Sequence, residues 1–591
     1  MMEFGKKLLS IQQIRNPLVQ QLALGEALLE QNKPHLAELC FDQVLKEGGE
    51  VKLVALARIG KGKALRARGL FETAHRQLSL AVEAAAAAGE APILLLALTE
   101  EADTWSAQGR PEQALRALAD GYRRITSLGE APVPKAHVRI KEGFLLQQLG
   151  RLDEALSRFH EAERILSNTT EEEKPAQEAL LLCLLGQADV LVSLRQAKEA
   201  LDIICGVREK LSESDGRRFH QASLEIEAKC HALLGEQRQA VRCLENLAAI
   251  SKKGSVYAQL ALTYFTLGEP DRAREWEEKA LAALKEREDI ETRTALFRLN
   301  MQRGQVKEAS RHLDVVVEQL FSLKHEMVQL KRSQLQVDLW VDEAKVNAAE
   351  DTARKIHNQL LHLKEEGRNV DLALLSVYQS LGLIGNLKGQ RDEAESMFRK
   401  ALQLAHQVGI PLAIGHAMAN LGRCLMGKGD LEAAEDLLGR AEEIIGGSGE
   451  VLSLRYLLLD KVRLSVLEDP AQLPEATERL VTLLEENARF QCPRLNIAGL
   501  MTLGWFHWRG GRYEEARETF LKVKQIAEET GMELRRLFAM GMIGLLEYEA
   551  GNKELAEQWL GEALEGMELR GTEVSLADAL TERFRDLTSF P

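Results

Sequence analysis

Aromatic residues make up only 5% of this 591-residue chain, and proline occupies only 13 positions. That scarcity argues against β-sheets, which favour aromatic and β-branched residues, and leaves helices rich in leucine and alanine as the default. Cysteine is sparse as well. The seven residues Cys40, Cys183, Cys205, Cys230, Cys243, Cys424 and Cys492 are scattered, odd in number and never spaced as CxxC. They read as small apolar core residues in a reducing compartment. With a formal net charge of −14 and no basic block, the chain lacks the cationic stripe needed to displace counterions from nucleic acid. Long apolar runs are missing too: the stretches from Ile93 to Leu98 and Ala179 to Leu185 are far shorter than a bilayer span. After Lys6 and Lys7 only a few apolar residues precede Arg15, too few for a signal-peptide core. The expectation is a cytoplasmic chain with no membrane insertion and no direct contact with nucleic acid.

Catalytic patterns are equally absent. In Gly60-Lys-Gly-Lys63 neither lysine is followed by Ser or Thr, so no phosphate-binding P-loop forms there. Gly446-Gly-Ser-Gly449 has Leu452 where a dinucleotide turn needs a third glycine, and Glu450 where a nucleophile elbow needs its second. No HExxH or paired Cys/His spacing occurs. His357 and His362 are five apart and do not share a helix face, while Cys230 beside His231 reads as an ordinary interior pair for want of a second nearby cysteine. Acid pairs such as Asp153-Glu154 and Glu514-Glu515 recur at one point of many repeats, which marks them as helix-start residues rather than acid/base partners. No catalytic, cofactor or metal residue is assigned, and no enzyme activity is expected.

What the chain does contain is a repeated junction: an apolar helix ends at Gly, a few polar residues follow, and a second helix opens with an acidic residue and Ala. Clear copies are Gly69 to Ala74, Gly109 to Ala114, Gly150 to Ala155, Gly389 to Ala394, Gly429 to Ala434 and Gly511 to Ala516. Glycine accepts the left-handed conformation that stops a helix, and acidic residues suit the positive end of the next one. Each junction therefore predicts a helical hairpin. The second-helix alanines Ala37, Ala74, Ala114, Ala155, Ala200, Ala240, Ala273, Ala309, Ala353, Ala394, Ala434, Ala476, Ala516 and Ala556 mark about fourteen repeats of roughly 40 residues. Four positions after such alanines stand Phe41, Leu78, Phe159, Phe398 and Phe520, placed to fill the space between hairpins. Seven positions before the junctions stand Gly25, Gly62, Gly143, Gly382, Gly422, Gly504 and Gly544.

The sets Tyr378, Leu381, Gly382, Ala394, Phe398, Ala401 and Leu500, Leu503, Gly504, Ala516, Phe520 resemble the tetratricopeptide repeat, in a long-period bacterial form. Here the period exceeds the family's usual ~34 residues, the closing proline is mostly missing, and the repeats marked by Ala353 and Ala476 lack the glycine junction. The resemblance implies an all-α, right-handed α-solenoid of about fourteen hairpins. Three stretches are expected: residues 1–168, residues 169–445 with irregularity near 330–370, and residues 446–591 ending in a capping helix from Thr572 to Pro591. Asn168 to Pro175 reads as a solvated loop and Gly446 to Gly449 as a flexible link.

In such a superhelix the first helix of each pair lines the concave side. The residues just after the small position, and one turn later, then become the candidate partner-binding set: Asn420, Arg423, Trp505, Trp508, Arg509, Leu545 and Tyr548. Aromatics beside arginine are typical interface anchors, although Trp505 and Trp508 also suit an interhelix core, and Trp105 reads as packing. The family's carboxylate clamp for peptide C-termini cannot be assembled. The leading reading is a non-enzymatic scaffold or adaptor that grips a peptide or helical segment of a protein partner, with no cofactor. One alternative is a free-standing regulatory sensor, resembling the ligand-sensing repeats of signal-transduction ATPases and acting on a separate protease or transcription regulator. Another is a eukaryotic superhelical subunit of the cohesin-loader or anaphase-promoting-complex type.

Overall fold

The computed structural model describes residues 16–129, 131–168, 174–211, 216–321 and 326–566, and the expected capping helix from Thr572 lies outside them. Among the described residues there are 28 α-helices, one short 3-10 turn and no strand. The helices pair into fourteen hairpins, from Pro17–Glu30 with Pro34–Glu47 to Glu533–Glu549 with Lys553–Gly566. The fold is an all-α solenoid. The chain divides into two compact units, Met1–Phe219 and His220–Pro591.

The glycine hairpin turns have the geometry their sequence requires. At Gly69 φ is 75°, and the next residue, Leu70, donates its N–H to the Leu65 carbonyl at 3.0 Å, which satisfies a helix-end acceptor. Three turns do the same without glycine: Asn32, Arg195 and Ala344 have φ of 57°, 69° and 62°. At the last of these Lys345 donates to the Trp340 carbonyl at 2.8 Å. The turn before Ala476 is built differently, by the 3-10 segment Pro470–Gln472 under an Asp469 cap.

Packing within a hairpin follows the size rule read from the sequence. A Cβ built on Gly25, Gly143, Gly382 or Gly504 would lie 2.6, 2.8, 2.7 or 2.7 Å from the ring of Phe41, Phe159, Phe398 or Phe520. Only glycine lets the first helix come down onto those rings. Phe41 is also closed in from the following hairpin, where a Cβ on Gly60 would meet it at 2.4 Å. One such residue therefore joins two repeats.

Three local expectations change. The register alanine of the ninth hairpin is Ala349, the fourth residue of Val346–Glu365, as Ala37 and Ala394 are in their helices; Ala353 lies one turn later. Gly446, Gly447 and Ser448 form the last turn of Leu431–Ser448, and Gly449 caps it with φ 78°, so the stretch is helix and cap rather than a link. The segment from Asn168 to Pro175 is partly outside the described residues, and its last two residues open the helix Lys174–Ser193. That 20-residue helix is long and apolar enough by composition to cross a bilayer. Its Ala179, Cys183 and Val190 are instead buried in one core with Phe159.

Within the second unit, hairpins five apart meet through their first helices. Gly254–Thr266 touches Val451–Glu468, Ile290–Arg303 touches Pro493–Arg509, and Glu326–Asp342 touches Glu533–Glu549. The turn glycines admit the contact: Gly268 lies under Phe490, and Gly304 under Arg494 and Met532. Lys307 donates to the carbonyls of Glu528 and Glu529 at 2.6 and 3.2 Å, a cation at the negative end of Tyr513–Thr530.

Candidate partner-binding face

The thirteenth residue of the first helix forms a row through successive hairpins: Asp338, Leu383, Arg423, Arg463, Trp505 and Leu545. The structure divides the sequence-derived candidates along it. Trp505 is 5% exposed and Leu545 3% exposed, both within apolar cores. Trp505 contacts Phe506 at a ring separation of 5.5 Å, and the exposed Arg509 lies over it at 5.4 Å. One turn on, Trp508 is half-buried and donates its Nε1–H to Glu549 at 2.8 Å, beside Tyr548, which is 43% exposed. Burial of Trp505 and Leu545 has a plain cause: helix-end aromatic and aliphatic side chains cover the neighbouring hairpin.

Asn420 and Arg423 belong to a different neighbourhood. Arg423 donates to Asn420 Oδ1 and lies 3.6 Å from the buried Asp460. Burial raises the Asp460 carboxyl, with Arg423 and Arg463 opposing. Arg463, 4% exposed, is pushed down by burial. Arg494, on the thirteenth hairpin, reaches two earlier ones: Nε donates to the Met301 carbonyl of the eighth at 2.9 Å, and the guanidinium pairs with Asp342 of the ninth. Burial pulls the Arg494 guanidinium down, but Asp342 outweighs it and holds it above its ordinary value.

Arg535 completes this group and stands apart from it. Among the described residues its side chain makes no hydrogen bond and no ion pair. Burial, then the nearby Arg494 and Arg423, press its guanidinium down to about 10, with Asp342 and Tyr456 opposing. Among the groups that act on one another here, Arg423, Arg463, Arg494 and Arg535 face the carboxylates Asp342 and Asp460, an excess of positive charge. Sequence reading missed Asp342, Tyr456, Arg494 and Arg535. They occupy the seventeenth, sixth, second and third places of four different first helices, so no periodic row announces them.

Asp338 adds a pH dependence. Burial pushes its carboxyl from 3.8 to about 6, against the Gln334 and Ser380 hydrogen bonds and nearby Arg298, while Asp342 assists the rise. A raised acid is more readily protonated folded than unfolded. The associated stability is complete below pH 3.8 and is lost as pH rises through about 6. Asp338→Asn is expected to stabilise the chain by ~1–2 kcal/mol at pH 8 and not at pH 4, as read by urea unfolding at the two pH values.

Comparison with known proteins agrees with the hairpin geometry. Tetratricopeptide-repeat models match residues 22–92, 254–287, 375–407, 415–440 and 496–568. No curated protein matches. Among solved structures, the APC/C hetero-tetramer Cut9–Hcn1 is 15% identical over 98% of both chains, with a TM-score of 0.47. The apo form of RapI is 12% identical over 59% of this chain and 98% of its own, with a TM-score of 0.40. NprR with its cognate peptide NprX is 14% identical over 55% and 93%, with a TM-score of 0.35. With five repeat models matched to separate stretches of an array whose small glycines and large ring residues pack in the expected register, this chain is a tetratricopeptide-repeat protein.

Proposed function

We propose that this chain is a non-enzymatic scaffold that holds an acidic peptide or helical segment of a partner protein on the first helices of hairpins eleven to fourteen. The observation that carries the reading is Arg535, a partly buried guanidinium beside Arg494 and Arg423 with no anionic contact of its own. Desolvated like charges disfavour one another until a counter-anion arrives. A carboxylate from a bound segment supplies it, and Arg is suited to grip it bidentately. The exposed Tyr548 and Arg509 and the half-buried Trp508 then offer amphipathic contact area toward the other ends of the two helices that carry Arg535 and Arg494. Repeats of this family leave long first-helix faces for extended or helical ligands, which supports the same reading.

The test places a photo-reactive benzoylphenylalanine at Tyr548 and crosslinks in native lysate. A single protein segment is expected in the adduct, and its synthetic peptide is expected to bind the purified chain. Arg535→Ala and Arg423→Ala each weaken that binding by about tenfold or more, as does replacing the peptide's acidic residues by amides. No adduct, or an affinity indifferent to Arg535 and to salt, refutes the reading.

A further inference from the structure

The sixth hairpin, Gly216–Leu233 with Gln237–Ile250, brings together residues from both of its helices and from the turn between them. Glu227 and His231 are four apart and share one face of the first helix. Cys243 approaches from the second helix, 7% exposed. One donor atom from each of the three lies within 4.8 Å of the others, and His231 Nε2 is 3.9 Å from Glu227 Oε1. The opposite ring nitrogen, Nδ1, is 2.6 Å from Glu236 Oε2.

From this geometry we infer that Glu227, His231 and Cys243 form a site for a divalent transition cation of the zinc class. Imidazole, thiolate and carboxylate together are the donor set of such ions, whereas calcium and magnesium require oxygen ligands in larger number. Donors around tetrahedral zinc sit roughly 3.5 Å apart for bond lengths of about 2.0–2.3 Å. Small side-chain rotations close the present set onto an ion, and a water takes the fourth position.

Glu236 makes the arrangement more than a coincidence of polar residues. It follows the left-handed Gly235, and its own N–H donates to the His231 carbonyl at 2.8 Å. The hairpin turn thereby anchors a carboxylate beside Nδ1. A proton held on Nδ1 leaves the Nε2 lone pair, 3.9 Å from Glu227, available to an ion, the carboxylate–histidine–metal relation found in metalloproteins. On binding, the Cys243 thiol gives its proton to solvent and the thiolate bonds the metal.

The experiment titrates Co²⁺ into the purified, chelator-stripped full chain. A thiolate-to-cobalt charge-transfer band is expected to saturate at one equivalent and to vanish on adding Zn²⁺. Cys243→Ser abolishes the band, while Cys205→Ser, at an exposed cysteine on another hairpin, leaves it intact. Glu236→Gln keeps the band but weakens Co²⁺ binding by about 10–100-fold, with an unchanged melting temperature in the absence of metal. Absence of a saturable band, or a band unaffected by Cys243→Ser, overturns the site and leaves these residues as an ordinary ion-pair group above a core thiol. The same follows if Glu236→Gln binds Co²⁺ like the unmodified chain.

Discussion

Phe520→Ala is expected to destabilise the C-terminal hairpins by about 3–5 kcal/mol, and Gly504→Ala, at the position facing it, by about 1–3 kcal/mol. Phe520 is fully buried and fills the space beneath Gly504, where an added Cβ would sit 2.7 Å from two ring atoms. Truncating the ring opens a cavity bordered by two helices; adding the methyl forces them apart. The two positions share one volume, so their effects do not add. The double variant Gly504→Ala/Phe520→Leu is expected to be more stable than Phe520→Ala alone. Ala102 with Leu118, Ala188 with Ile204 and Ala228 with Leu244 already occupy these places in other hairpins and are all buried. Urea unfolding of Gly504→Ala, Phe520→Leu and their double variant reads the cycle. Additive losses would show that the glycine and the ring do not compete for space.

Arg494→Ala is expected to cost about 2–4 kcal/mol, toward the lower part of the range for breaking a buried pair, because 24% of its side chain remains exposed. The loss has two parts. Asp342, at 8% side-chain exposure, keeps a carboxylate without its guanidinium, and the Met301 carbonyl loses its donor. Because this arginine ties its hairpin to those four and five places earlier, its removal is expected to raise hydrogen exchange in Glu326–Asp342 and Ile290–Arg303 as well as in its own helix. Arg494→Met with Asp342→Leu removes both charges and is expected to recover most of the stability. A double variant no better than the single one would place the energy in packing instead of charge.

The ninth hairpin shows why one register mark slipped. In most repeats a small residue on the first helix faces a large one on the second, as Gly382 faces Phe398. At the corresponding places of the ninth hairpin stand Val337 and Ala353, both fully buried. The sizes are exchanged while their complementarity is kept. Sequence reading sought alanine and found it one turn too late, since Ala349 and Ala353 look alike without a packing partner in view. Ala344 hid the turn for a related reason: a left-handed alanine is held by the surrounding hydrogen bonds, not by its own preference.

The candidate binding residues divide in the same way. Position along the first helix was readable, and the row through Arg423, Trp505 and Leu545 lies where the repeat places it. Burial was not readable, because it depends on how far the next hairpin reaches over the end of its neighbour. Of the groups around His231 only Glu227 shares its helix, at i,i+4; Cys243 comes from the second helix and Glu236 from the turn between them, so no spacing rule gathers them all.

The sequence by itself determined the helices, their hairpin pairing and the number of repeats. Those features rest on interactions within about 40 residues: glycine stops, acidic helix starts, and a small residue set against a large one. Only the tertiary structure decided that Arg494 meets Asp342, that Gly268 lies under Phe490, and that the Arg535 side chain is left without a hydrogen-bonded counter-charge. Those outcomes depend on the accumulated rotation between successive hairpins. Each step is set by the shape of a whole interface, so no single residue along the chain encodes their sum.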